Sequence, residues 1–169
     1  MMKQLLLIRH GKSDWKDSHI TSDFDRPLNH RGHKNAPVMA EKILKKGLVP
    51  QHIISSPAIR AWSTAKHFAE VWNFKTDDLQ TESSIYEANI TALLKIVNGF
   101  SNDIDRIAMF GHNPGFTDFA NYLADANLYN IPTAGVVVLR FDTDNWAEIG
   151  HHTGTMLLFD FPKNTDEPH

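Results

Sequence analysis

The chain has 169 residues, 41% of them apolar and 22% charged, with a net charge of -3 when its ten histidines are neutral. That suits one domain with a substantial core, gives no general pull toward nucleic acid, and leaves room for a local cationic pocket. The absence of cysteine excludes a disulfide framework, a thiol nucleophile and a thiolate metal site. No apolar run approaches membrane-spanning length and no signal-like apolar region precedes the first strand, so the expectation is a cytoplasmic protein without a membrane partner.

The first predicted element is a strand over 1–9, whose run Leu5-Leu6-Leu7-Ile8 ends in Arg9-His10-Gly11. A continuous apolar run of this kind is a buried strand, and Gly11 is a sharp exit where backbone can approach a ligand. Residues 11–32 are polar, with Asp14, Asp17, Asp23, Asp25 and Arg26 around Pro27, and are expected to form a long ordered loop. A helix over 33–46 follows, with Val38, Met39, Ile43 and Leu44 on its apolar side and Gly47 at its stop. After a short strand at 52–54, Ser55-Ser56-Pro57 is expected to cap a helix that runs to about Trp72, with the proline in its first turn.

A weak strand is expected at 79–82, a short helix at 91–100, and a strand at 106–110 that leaves through Gly111-His112-Asn113-Pro114-Gly115. A helix over 116–124 comes next, and strands at 135–141 and 153–159 form a final neighbouring pair. This alternation predicts an α/β sandwich with a partly antiparallel edge. Residues 1–161 form the expected single domain, and 162–169 a loose tail.

Two strand exits share one pattern, an apolar run followed by a histidine beside glycine. Parallel central strands would bring His10 and His112 to the same sheet edge, where open α/β sheets keep their ligands. Arg60 would lie in the first turn of a helix whose N-terminus supplies free N–H groups to an anion. Two arginine forks and two imidazoles suit a phosphoryl group. A neutral His10 could attack phosphorus while Arg9, Arg60 and His112 neutralise its oxygens, with no metal or other cofactor required. The other readings are a structural histidine or helix cap for His112 and a surface ion pair for Arg60.

These residues resemble the histidine phosphatase superfamily, whose signatures match Arg9-His10-Gly11, Ser56-Pro57-Ala58-Ile59-Arg60-Ala61-Trp62-Ser63-Thr64-Ala65 and Gly111-His112-Asn113-Pro114. The resemblance implies that His10 accepts the phosphoryl group and that Arg9, Arg60 and His112 hold it. It also implies a three-layer α/β/α sandwich with a mostly parallel mixed sheet, phosphoglycerate mutase-like, without a large cap domain. Within the superfamily the chain is most similar to SixA-type phosphohistidine phosphatases through 23–32, Ile85-Tyr86-Glu87-Ala88 and 130–135. This implies a phosphorylated phosphorelay protein as partner and inorganic phosphate as product. A small phosphorylated metabolite is the alternative substrate, and a non-catalytic phosphate-binding module the alternative from a different class.

An ester leaving group needs a proton, and Glu87 lies where related mutases carry their acid. It could instead be a helix-entry carboxylate that faces water or pairs with a pocket arginine. Asp25 and Arg26 are expected to pair, either ordering their loop or lining the entrance. Lys12 and Ser13 are further donors after Gly11, and Asn113 either caps the following helix or touches phosphate. The stretch 61–111 leaves little chain for a lid, which favours a phosphate presented on a protein surface. Adjacent strand residues face opposite ways, so His151 and His152 are expected to be surface or structural rather than joint metal ligands. His19, His30 and His33 lack ligand spacing, and Trp62, Phe68 and Trp72 are expected to pack against the sheet.

Overall fold

A computed structural model describes residues 2–15 and 22–163. The expected Asp17 and His19 of the loop, and positions 164–169 of the expected tail, lie outside these residues. Pro162, where that tail was expected to begin, is buried.

The first strand, β1 (Lys3–Arg9), buries Leu5, Leu6, Leu7 and Ile8 completely. Its apolar run is unbroken because both faces of the strand are covered. Leu5 and Leu7 face one core, Leu6 and Ile8 the other. Around it lies a six-stranded sheet in the order β3-β2-β4-β1-β5-β6, comprising β2 (His52–Ser55), β3 (Gln80–Thr81), β4 (Arg106–Gly111), β5 (Val136–Phe141) and β6 (Gly154–Asp160). The first four strands in that order run parallel, whereas β5 and β6 are antiparallel additions.

Helices α1 (His30–Lys45) and α2 (Ile59–Val71) cover one face through Met39, Ile43, Phe68 and Trp72. On the other face α3 (Ile90–Asn98) and α4 (Gly115–Ala124) bring Leu93, Val97, Phe116, Phe119 and Leu123, with Trp146. The arrangement is the expected three-layer α/β/α sandwich with a mostly parallel mixed sheet and no large cap.

Local chemistry moves several boundaries. Helix α1 starts at His30 rather than His33 because the Asn29 side chain accepts from the Gly32 N–H at 3.0 Å and caps it. Helix α2 starts at Ile59, and Ala58 at its cap position makes no side-chain hydrogen bond. Of the serines expected to cap it, Ser56 accepts the N–H of Ala58, ahead of the helical residues, and also meets His112, while the Ser55 hydroxyl donates to Ser56 O. Gly11 is packed tightly against the start of α1, since a Cβ there would stand 3.1 Å from Gly32 Cα. His151 and His152 precede β6 in a turn, with His152 at φ 54°, so their rings stack at 3.7 Å instead of facing apart.

Candidate active site

Three adjacent parallel strands deliver the predicted residues to one edge. Arg9 is paired in register with Gly111, and the His10 N–H donates to Gly111 O at 3.0 Å, so the exits of β1 and β4 lie side by side. The rings of His10 and His112 are consequently 5.3 Å apart. The exit of β2, next to β4, turns through Ser56 into α2 and places Arg60 in the first turn with its Nε 3.3 Å from His10 Nε2. His10, Arg60 and His112 are all buried.

His10 Nδ1 lies 2.7 Å from the carbonyl oxygen of Gly11. A carbonyl can only accept, so Nδ1 carries the proton and Nε2 holds a free electron pair. Burial, reinforced by His112, Arg60 and Arg9, holds the His10 pKa well below its usual value despite the Gly11 hydrogen bond. The imidazole is therefore neutral near pH 7, the state a nitrogen nucleophile requires.

His112 is also neutral there, with its pKa lowered to about 4 chiefly by burial and then by Arg60. Its Nε2 is 2.8 Å from Ser56 Oγ, a hydroxyl that also accepts the Ala58 N–H at 3.2 Å and can either donate to the ring or accept from it. His112 Nδ1 is buried without a partner. Of the four buried side-chain polar atoms without partners among the described residues, three belong to this site: Arg9 Nε, Arg26 Nε and His112 Nδ1. Buried polar groups without partners are costly and native proteins keep few of them, so the two arginine donors among these three suit an anion. Arg9 fits this reading, its pKa lowered by burial and by repulsion from Arg26 and Arg60.

The pocket opens into a cleft of about 680 Å³ lined by Asp23, Arg26, Arg60, Tyr86, Glu87, Ile90, His112, Pro114 and Asp118, among others. Glu87 is exposed on this wall and sits at φ 57°, a left-handed conformation that costs energy for any residue but glycine. A hollow of about 920 Å³ along α2 and residues 73–76 is larger, yet it contains none of the buried atoms without partners.

Several contributors escaped the sequence reading. Arg60, buried rather than on the surface, does pair with a carboxylate: Nη1 donates to Asp23 O at 2.6 Å and Nη2 to Asp23 Oδ2 at 2.9 Å. Tyr86 OH donates to the same Oδ2 at 2.8 Å, and burial with that bond pushes its pKa to about 12. Burial would raise the Asp23 pKa, but the bonds from Tyr86 and Arg60 outweigh it and leave the carboxyl below its usual value. Arg26 pairs with Asp23 at 3.1 Å, not with Asp25, which bonds to Ser22 at 3.0 Å. Thr64 accepts the Gly11 N–H at 2.9 Å and donates to Arg60 O at 2.7 Å, tying β1 to α2.

Asn113 works as a brace. Its Oδ1 accepts from the Thr117 N–H and hydroxyl, and its amide donates to Asn130 Oδ1 and Ile131 O. The segment 130–135 also accepts Arg9 Nη1 at Ile131 O, 2.9 Å away, and sends the Ala134 N–H to His10 O. Its expected importance is thus that of a scaffold behind the first histidine. Ser13 bridges to Leu28, and the Lys12 carbonyl accepts the Asn29 N–H at 2.9 Å.

A sequence model of the histidine phosphatase superfamily (branch 1) matches residues 5–94. An uncharacterised chloroplast protein of Arabidopsis thaliana is 30% identical over 154 residues, which cover 86% of this chain and 70% of that protein. The crystal structure assigned as the phosphohistidine phosphatase SixA of Agrobacterium tumefaciens superposes with a TM-score of 0.78 at 22% identity, covering 95% of this chain and 98% of that one. A mycobacterial glucosyl-3-phosphoglycerate phosphatase superposes with a TM-score of 0.68 at 13% identity, covering 94% of this chain and 98% of that one. At these identities the structural likeness is one of fold. Among the described residues, no helix is long and apolar enough to cross a membrane.

Proposed function

Because the chain belongs to the histidine phosphatase superfamily (branch 1), we propose that it is a cytoplasmic phosphatase for phosphohistidine on a phosphorelay-type protein. The reaction passes through a covalent phosphohistidine on His10. The observation that carries this reading is the neutral His10, with Nε2 unprotonated, set among donors that lack acceptors.

The His10 Nε2 electron pair attacks phosphorus while the bond from phosphorus to the substrate imidazole breaks. The leaving electron pair stays on that imidazole nitrogen, and the ring departs neutral because its other nitrogen already carries a proton. Arg9, Arg60 and His112 receive the phosphoryl oxygens as their charge redistributes. Water then attacks phosphorus, the bond to Nε2 breaks, and inorganic phosphate leaves. Each of these steps runs through the side chains already described and draws on no metal.

A second reading keeps the mechanism but takes a small phosphomonoester. It is favoured by Glu87 on the cleft wall, where a carboxyl could protonate an alkoxide, and by the shared fold with the glucosyl-3-phosphoglycerate phosphatase. The open cleft and the mobile-proton chemistry of an imidazole leaving group support the protein substrate instead.

The test measures phosphate release from a phosphohistidine protein and from a panel of phosphomonoesters, with wild type and His10→Ala. Wild type should favour the phosphohistidine protein, and the variant should lose about a thousandfold or more on every substrate while melting as wild type does. Activity surviving in His10→Ala would remove the proposed nucleophile. Strong preference for a small ester would move the assignment to the second reading, and phosphate binding without any release would reduce the protein to a binding module.

A further inference from the structure

Arg60 approaches the nucleophile to 3.3 Å, yet each of its three nitrogens already donates a hydrogen bond. Both terminal nitrogens hold Asp23, one on the carbonyl and one on the carboxylate, and Nε covers the electron pair of His10 Nε2. A phosphoryl group that is to take the edge of Arg60 now facing Asp23 must displace an anion that belongs to the protein. Resting on the phosphatase reading above, we infer that Asp23 is a specificity-determining residue: its carboxylate is a built-in competitor that only a strongly charged phosphoryl group displaces from Arg60.

The exposures of the two partners give the exchange a direction. The Arg60 side chain is only 6% exposed, whereas that of Asp23 is 41% exposed, so the carboxylate stands at the mouth and the guanidinium below it. Moving Asp23 outward returns an already half-exposed carboxylate to water, so its desolvation cost is small and what it gives up is its hydrogen bonds. Burying Arg60 without any anion would be expensive. An arriving ligand therefore exchanges with Asp23 rather than adding to it.

Charge then selects the ligand. A phosphoryl group carries up to two negative charges and three acceptor oxygens, enough to take the Arg60 fork and to meet Arg9 and His112 as well. A carboxylate ligand carries the same single charge as Asp23 and has to compete with a group already tethered at high effective concentration. Tyr86 and Arg26 strengthen the tether by holding the two carboxylate oxygens at 2.8 and 3.1 Å. Once hydrolysis has occurred, the same carboxylate competes against inorganic phosphate and promotes its release. Drawing Arg60 toward the phosphoryl group also uncovers His10 Nε2, so arrival of the right anion exposes the nucleophile.

The experiment titrates inorganic phosphate, tungstate and acetate calorimetrically into wild type, Asp23→Asn, Tyr86→Phe and the double variant Asp23→Asn/Arg60→Ala. Asparagine keeps the shape but not the charge. Asp23→Asn should bind phosphate and tungstate about tenfold more tightly than wild type and should begin to bind acetate. Tyr86→Phe, which only loosens the tether, should show a smaller gain in the same direction, and it carries the test if the asparagine variant does not fold. The double variant should lose the gain. Equal or weaker phosphate binding by both single variants overturns the proposal and leaves Asp23 as a residue that positions Arg60. If wild type itself binds neither phosphate nor tungstate, the phosphate pocket fails and the competitor falls with it.

Discussion

Lys3 and Arg9 stand at opposite ends of the same strand, and the protein treats the two cations in opposite ways. The Lys3 side chain is 1% exposed, and its three protons are met by Asn102 O at 2.8 Å, Ile104 O at 3.3 Å and Asp105 Oδ1 at 2.7 Å. Arg9 sends Nη1 to Ile131 O, but its Nε is buried without a partner, and Arg26 and Arg60 repel it. A buried cation whose every donor is satisfied holds the fold together. One left short of acceptors, with other cations nearby, is kept for a ligand that supplies them. The sheet thus has a closed end and an open end, distinguished by their hydrogen bonds.

Exchanging each cation for a neutral side chain of similar length tests that distinction most severely. Arg9→Met should lower phosphate turnover about a hundredfold, because it removes charge from the transferring phosphoryl group. Its melting temperature should hold or rise, since repulsion among arginines is relieved. Lys3→Met should leave turnover alone and cost about 2 kcal/mol of unfolding free energy, as two buried carbonyls lose their donor. Equal destabilisation by the two substitutions, read from urea unfolding, would erase the difference between the ends.

The open end should also carry a pH signature that the closed end lacks. His112 titrates near 4 in the folded protein against an ordinary 6.5. As the pH falls below 6.5 the unfolded chain takes up this proton first. The stabilisation is therefore complete above about 6.5 and is lost progressively toward 4. Between pH 7 and 5 the loss from this group should be about 2 kcal/mol. His10 acts in the same direction, as does His67 on α2, whose pKa is lowered by burial and by His33. Urea unfolding at both pH values should therefore show a smaller acid loss in His112→Gln than in wild type; an unchanged loss would mean that His112 does not titrate as its burial implies.

How much of this was legible in the chain depended on whether a residue's role is local. The exits at Arg9-His10-Gly11 and Gly111-His112 could be read because apolar runs declare strands and parallel pairing aligns their ends. Arg60 could be read because a helix start follows a strand. Asp23, Tyr86 and Ser56 could not, since each acquires its role from a partner far along the chain: Asp23 meets Arg60 across 37 positions, Tyr86 meets Asp23 across 63, and Ser56 meets His112 across 56. Ser56 was the most misleading, because a serine before a helix has the same local chemistry whether it caps the helix or bonds elsewhere. Asp23 with Arg26 was within reach. The Arg26 N–H turns back to Asp23 O at 3.2 Å, and such a turn joins i to i+3 rather than neighbours.

Glu87 extends the comparison to the rim, where charge meets water and effects should be smallest. It lies on the cleft wall next to Tyr86 and faces solvent. In phosphomonoester hydrolysis its carboxyl would protonate the departing alkoxide, so we expect Glu87→Gln to slow ester turnover about tenfold, below the usual general-acid effect because water can reach the same place. An imidazole leaving group is far less basic than an alkoxide and needs that proton less. Phosphohistidine turnover should therefore change by no more than about twofold in the same variant. The ratio of the two losses is the measurement, since a structural defect from the strained backbone at Glu87 would lower both rates together. Equal losses would make Glu87 part of the wall, and the open end of the sheet would then consist of the arginines and histidines alone.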